Sequence, residues 1–360
     1  MLRAAKHLCA SLPIERDPSL RLRVTPMDGI FALDMSTGFR YNVSNEHHAP
    51  RFGDRDQVKY ESKEHSTMST PANPGQEHPS TYWVQDRSNE EELTRLQLQD
   101  QMLTADMGGV LAEQSDPTIF RSVLDVGCGT GGWLIEAAKT YPSMSMLVGV
   151  DVSSKIVEYA RTQAEAQHVS DRVQFRVMDS LLMLEFPNDT FDLVNQRFSA
   201  SYLRAWDWPK LLQEYQRISK PGGVIRVTEF DTISESSSPA HKRLLDLMLE
   251  ALYRAGHFFT PSYDGVTSQL ARLLRQSGLQ NVQTRAHALQ YRAGTVEGEL
   301  FCEDTRHLFR TVEPFLRKWT RVPEDYSDIY QQMLNEMQQP DFVATFPLLT
   351  AWGRMPESRI

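Results

Sequence analysis

One stretch restricts this chain more than any other: Val123-Leu124-Asp125-Val126-Gly127-Cys128-Gly129-Thr130-Gly131-Gly132-Trp133. An apolar run leads into closely spaced glycines and then into a helical pattern. It reads as a buried strand, a tight turn and the start of a helix. Glycine lets the backbone turn sharply and come close to a ligand. The helix start offers unpaired N–H groups and a positive dipole end, which suit a carboxylate or a phosphate. Gly127, Gly129 and Gly132 also fit the G-x-G-x-x-G spacing of dinucleotide sites. Asp125 argues against that use, because a carboxylate beside a pyrophosphate is unfavourable. It suits an ammonium instead. An α-amino acid group offers both signs, a carboxylate for the helix end and an ammonium for Asp125. A purely structural turn capped by Asp125 is the alternative.

The rest of the chain alternates strands with helices. Met146–Asp151, Val173–Val177, Phe191–Asn195 and Val224–Phe230 read as further buried strands. Between them lie helices over Trp133–Tyr141, after Ser153 or Ser154, and from Pro209 with Asp207 as its cap. Lys220-Pro221-Gly222-Gly223 is a turn. Such alternation predicts a parallel, doubly wound sheet. Before it, Ser88 and Glu91 form a capping box for a helix with Leu93, Leu96, Leu103 and Met107 on one face. That helix is expected to lie over the ligand cleft as a lid. Beyond residue 235 the pattern predicts helices over Pro239–Ala255, from Val266, over Val296–Trp319 and over Glu324–Gln338. Strands are expected over Val282–Tyr291 and Phe342–Trp352.

In an open parallel sheet the ligand lies beyond the carboxyl ends of the strands. Asp125, Asp151, Asp179 and Asn195 close strands one to four and should rim one crevice. A carboxylate at the end of strand two can accept both hydroxyls of a ribose. Asp179 is placed to accept from an adenine amino group. Each of these residues is also a common loop residue. It is their joint register that favours a site.

The chain resembles a class I S-adenosylmethionine-dependent methyltransferase. The matching pieces are Val-Leu-Asp-Val-Gly-Cys-Gly-Thr-Gly at 123–131, Gly-Val-Asp at 149–151, Asp179, Phe-Asp-Leu-Val at 191–194 and Lys-Pro-Gly-Gly at 220–223. NAD binding accounts for the glycines but not for Asp125, Asp179 and the Pro-Gly-Gly turn together. The resemblance implies a Rossmann-like α/β fold, with a mostly parallel seven-stranded sheet, an antiparallel C-terminal strand and helical lid elements. It implies S-adenosylmethionine as cofactor, with binding roles at Asp125, Gly127, Gly129, Asp151 and Asp179. The flanking Cys128, Val152, Met178 and Ser180, together with Asn195 and Tyr82, complete the expected cofactor set. The look is similar to small-molecule methyltransferases of quinone biosynthesis and fungal secondary metabolism, by analogy of fold. A small organic acceptor methylated on O or C is therefore expected. The alternative is a methyltransferase-fold regulator or protein methyltransferase acting through partner proteins.

Candidate residues for the chemistry lie after strands four and five. Arg197 could bind an acidic acceptor or stabilise an enolate or phenolate, or form only a salt bridge. Tyr202 sits where relatives place a substrate-facing residue, or packs in the core. Glu229 and Asp231 end strand five. His257 is the first choice for a base, within Gly256-His257-Phe258-Phe259-Thr260-Pro261-Ser262-Tyr263, whose aromatics could line an acceptor pocket or form a hydrophobic cap.

Net charge is −9, which speaks against a nucleic-acid-coating surface. Cys9, Cys128 and Cys302 form neither a metal spacing nor an even disulfide framework. No metal site is expected, and a reducing, cytoplasmic setting is. No apolar run reaches the ~20 residues of a membrane helix, and Glu15 and Asp17 interrupt any transit-peptide character. Residues 1–80 read as a disordered or loosely packed extension, rich in polar residues from Asn42 to Pro79. Residues 81–360 read as the methyltransferase domain, with its core at 120–235 and a helical cap and C-terminal strands at 236–360. Met68 reads as a natural start of translation, so deleting residues 1–67 should leave cofactor binding intact.

Overall fold

The computed structural model describes residues 82, 90–230, 235–260 and 265–358. The expectations for residues 1–80, Ser88, Asp231 and Tyr263 fall outside them.

Helix α1 (Glu90–Asp106) precedes the sheet. Then come β1 (Ser122–Val126), α2 (Gly132–Thr140), β2 (Met146–Asp151), α3 (Ser154–Ala166), β3 (Val173–Val177), β4 (Phe191–Arg197), α4 (Trp208–Ile218) and β5 (Ser219–Phe230). The C-terminal part holds β6 (Glu235–Ser236), α5 (Pro239–Ala255), α6 (Val266–Gln276), β7 (Gln280–Arg292), α7 (Val296–Thr311), α8 (Glu313–Trp319), α9 (Tyr326–Met337) and β8 (Val343–Arg354).

The sheet runs in the order β3-β2-β1-β4-β5-β8, and β7 pairs with the far edge of β8. Strands β1 to β5 are parallel, and β8 is antiparallel to both β5 and β7. The expected mostly parallel sheet with an antiparallel C-terminal strand is present. The two-residue β6 pairs with β8 at Thr345 and Ala344, on the edge that β5 pairs further along, so it continues the line of β5. The chain leaves β1 for β2 on one side and returns to β4 on the other. That reversal opens the crevice at the carboxyl ends of β1 and β4.

Both sheet faces are covered, so the strands are apolar throughout. Alternate residues point to opposite faces. Val123, Leu147, Phe175 and Leu193 pack with α2 and α3, whereas Leu124, Val148, Val194 and Ile225 pack with α4 and α6. A separate cluster joins α1, α5, α7, α8 and α9 to the ends of β7 and β8.

Several local expectations need correction. Ser153 caps α3 as expected. Asp207 holds the N-cap position of α4 as expected, but its side chain makes no capping bond to the helix, its Oδ2 accepting the Arg204 N–H at 2.9 Å instead. The helix expected over Val296–Trp319 is two, broken at Val312, where Pro314 opens α8. Strand β4 continues to Arg197, so Asn195 lies two residues inside the strand. In α1 the buried charged residues are Glu92 and Arg95, while Leu93 and Leu96 are only half-buried.

Candidate active site

The turn after β1 has Gly127, Gly129 and Gly131 all at positive φ (+68°, +52° and +80°). At Gly127 a Cβ would stand 2.9 Å from the Tyr202 hydroxyl. At Gly129 nothing lies within 4 Å of that position. Gly129 thus needs glycine for its backbone conformation, and its outer side is open to a ligand. The Cys128 thiol points inward, 2.9 Å from where a Cβ of Gly149 would be, and burial pushes its pKa up. Only the backbone of Cys128 belongs to the turn.

Beneath the turn runs a buried polar ladder. Asn195 faces Asp125 across the β1–β4 pairing and donates Nδ2–H to its Oδ1 at 2.7 Å. Arg226 on β5 donates to Asn195 Oδ1 at 2.7 Å and forks onto Glu113 at 2.7 and 3.2 Å. Asn195 is therefore fully buried and holds Asp125, rather than rimming the crevice. Burial pushes Asp125 up to about 7, against the pull of the Arg197 charge and the Asn195 hydrogen bond. Among the described residues no cation lies within ion-pair distance of Asp125.

Asp151 ends β2 as expected. Its Oδ2 accepts the Gly129 N–H at 3.2 Å and its Oδ1 the Ser153 N–H at 2.9 Å. The carboxylate therefore joins the glycine turn to the start of α3. Val152 beside it is 45% exposed, an apolar surface at the strand end. Met178 N–H donates to the Asp151 carbonyl at 3.0 Å, which ties the end of β3 to that of β2. Asp179 folds into an Asx turn, accepting the Leu181 N–H at 2.9 Å. The side chains of Ser180 and Tyr202 are neighbours. Asp151 thus joins the glycine turn to the ends of β2 and β3, with Tyr202 over Gly127 and with Asp179 and Ser180 directly after Met178.

Arg197, at the end of β4, pairs with Asp100 of α1 and donates to Thr104 Oγ1 at 3.0 Å. Its guanidinium lies 5.9 Å from the Trp133 ring centre and 5.5 Å from that of Phe198. The salt-bridge reading of Arg197 is the one seen. Asp100 is a residue the sequence reading missed. Its Oδ2 presses on Gly132 at the first turn of α2. Gln97, one turn earlier, reaches Tyr159 of α3. Helix α1 thus reaches the first turn of α2 and the middle of α3. The polar spacing Gln97–Asp100–Thr104 was the available signal. Tyr82 donates to Glu92 Oε1 at 2.6 Å and accepts from Arg95 at 3.1 Å. The structure gives it these α1 partners and sets it against the helical cluster.

After β4, Phe198 takes a left-handed conformation (φ +59°) and a 3-10 turn follows over Ser199–Ser201. Glu229, expected at a strand end, is fully buried and accepts the Ser199 and Ala200 N–H groups at 2.8 and 3.1 Å. Burial pushes it up to about 8 despite those bonds. The Ala200 carbonyl lies 2.8 Å from His257 Nδ1. A carbonyl only accepts, so Nδ1 carries the hydrogen and the neutral ring has its lone pair on Nε2. Burial pushes the His257 pKa down to about 4. Ala200, Phe230, Leu252, His257, Phe258 and Val266 line a small apolar pocket. Burial pushes the Tyr202 hydroxyl up, so it stays neutral.

Among the described residues no His/Cys/Asp/Glu group is arranged to hold a metal, and no helix is long and apolar enough to cross a membrane. A methyltransferase-domain family model matches residues 123–223, the span from β1 to the glycines of β5. A demethylmenaquinone methyltransferase of Lactiplantibacillus plantarum is 31% identical over 173 residues, 44% of this chain and 70% of that protein. A probable methyltransferase, ltbC, of Aspergillus luteorubrus is 32% identical over 141 residues, 38% of this chain and 46% of its own. A Haemonchus contortus N-methyltransferase solved with phosphomonomethylethanolamine and S-adenosylhomocysteine overlays with a TM-score of 0.48 at 16% identity, covering 76% of this chain and 60% of its own. With the aspartates and glycines of its crevice in the expected register, the chain belongs to the class I S-adenosylmethionine-dependent methyltransferases.

Proposed function

We propose that the protein methylates a small organic acceptor, a secondary metabolite, on oxygen or carbon. The observation that carries this reading is the crevice built by the glycine turn and Asp151, over which the connector bearing Tyr202 runs on to the apolar side chains around His257. The resemblance to ltbC and to the demethylmenaquinone methyltransferase supports it.

S-adenosylmethionine, when bound, supplies an already activated methyl group. Gly127 and Gly129 would cradle it by backbone, and Asp125 would hold its ammonium. Asp151 would take the ribose hydroxyls, and Val152, Met178, Asp179 and Ser180 the adenine. The protein's work is then positioning and the exclusion of water. Helix α1 provides cover. Apolar lining keeps the acceptor's nucleophile dry and aimed. With its pKa at about 4, His257 is uncharged at neutral pH and a weak base, suited to hold a hydrogen bond at Nε2 while an acidic acceptor gives up its own proton. Tyr202 stays a neutral donor.

Metabolite profiles of a producing cell with and without the gene test this directly. A compound should accumulate that is one methylene lighter than the normal product. Unchanged profiles would favour the regulatory or protein-directed reading.

A further inference from the structure

The connector between β4 and α4 contains a cation without a counterpart. Arg204 makes no ion pair and no side-chain hydrogen bond among the described residues, and its Nε is shielded from solvent without a partner. The nearest acid in the connector, Asp207, accepts the backbone N–H of Arg204 at 2.9 Å and does not pair with the guanidinium. A shielded donor left unpaired is costly, and more so when charged. The two terminal nitrogens of the same guanidinium are unpaired but not shielded, so an acceptor brought by a ligand can reach them.

The surroundings specify the ligand. The guanidinium carbon lies over the ring of Trp206, 5.4 Å from the ring centre. Trp206 is itself 62% exposed, so the pair is open to solvent on its outer side. A guanidinium has two terminal nitrogens that can form parallel bonds to an oxyanion. The ring of Trp206 lies against Gly256, where a Cβ would stand 2.5 Å from it, and the Ala205 N–H donates to the Gly256 carbonyl at 2.9 Å. The next residue is His257, which lines the apolar pocket. Two residues before Arg204, Tyr202 touches the glycine turn. Arg204 therefore sits on the segment that joins the methyl-donor turn to the pocket.

We propose that Arg204, placed over Trp206 and without an ion-pair partner among the described residues, is the seat for an oxyanion on the methyl acceptor, a carboxylate or a phosphate. The inference rests on the proposed small-molecule reading and narrows it to acidic acceptors. An arginine plane matches either group bidentately, and the apolar lining takes the carbon skeleton.

The test titrates the full chain, saturated with S-adenosylhomocysteine, with sodium benzoate and separately with inorganic phosphate at low ionic strength. Binding is read by calorimetry and by tryptophan emission. One of the two anions should bind saturably, and which one distinguishes carboxylate from phosphate. Arg204→Gln should weaken that binding by about tenfold or more. Arg204→Lys, which keeps the charge but loses the fork, should fall between. Trp206→Phe should abolish the emission change while calorimetric binding persists. S-adenosylhomocysteine affinity should stay within about twofold in every variant, which shows an intact fold. Equal anion binding by wild type and Arg204→Gln, or no binding of either anion, overturns the proposal. A wild-type protein that fails to bind S-adenosylhomocysteine would instead overturn the cofactor assignment beneath it.

Discussion

Arg226 and Arg95 are both 1% exposed, yet they hold networks of different kinds. Arg226 spends its charge on Glu113 and passes only a neutral amide, Asn195, to Asp125. The last carboxyl in that ladder is left at the glycine turn without an ion-pair partner. Arg95 joins α1 to α7. It forks onto Glu92 at 2.8 and 2.8 Å, reaches Asp304 at 3.3 Å and donates to Tyr82. There two carboxyls share one guanidinium, and burial pushes Asp304 up to about 6. The first network ends where a ligand can complete it. The second closes on itself and fastens α1 to α7. Equal burial therefore does not mean equal purpose. The position of the surplus carboxyl separates a binding network from a structural one.

The largest effects should come from removing either arginine. Arg226→Met and Arg95→Met each strand a buried carboxylate and should cost about 3–5 kcal/mol in denaturant unfolding. They should part in binding. Arg226→Met also loosens the amide that holds Asp125 and should weaken S-adenosylhomocysteine, whereas folded Arg95→Met should bind it more nearly as wild type. Equal losses of affinity would erase the distinction.

The next effect is in pH dependence. The folded protein holds the Asp304 proton up to about 6, above the usual 3.8. Its contribution to stability is therefore fully present below pH 4 and falls as pH rises towards 6, by about 1.4 kcal/mol per unit. Asp304→Asn should remove about 3 kcal/mol of that fall and leave cofactor affinity unchanged. A pH profile of unfolding identical to wild type would contradict this.

Asp125 should show the reverse pattern, with its effect in binding. An ammonium needs the ionised carboxylate, so protonation competes with the ligand below about pH 7. Affinity for S-adenosylhomocysteine should drop about tenfold per unit below 7 and level off above it. In Asp125→Asn the profile should be flat and the plateau lower. A wild-type profile flat from pH 5.5 to 8.5 would remove the ammonium from this site. The smallest effect should be at the exposed pair Arg243–Asp325, where Arg243→Ala should change stability by less than about 1 kcal/mol.

The binding half was legible because local rules place it. Turn glycines, apolar strands and acids at strand ends occur in order along 120 residues or so of chain, and Asp125, Asp151 and Asp179 fall together once the strands are parallel. The structural network was not legible. Glu92 and Asp304 are far apart in sequence, and a helix bearing Glu and Arg at a three-residue spacing looks like a solvated face. Helix α1 carries its buried charge where the periodicity of leucines pointed elsewhere. Asn195 was misplaced because its strand ran two residues longer than the apolar run. Glu229 read only as the acid that ends strand five because nothing local signals the two backbone N–H groups it receives.

The central claim is that the crevice holds S-adenosylmethionine with its ribose on Asp151. Calorimetry with S-adenosylhomocysteine on wild type, Asp151→Asn and Asp151→Ala tests it most directly. Saturable one-to-one binding by wild type is expected. A loss of about tenfold or more in Asp151→Asn, which preserves the side chain's shape at the turn, is expected with it, and a greater loss in Asp151→Ala. Affinity unchanged in both variants would contradict the account.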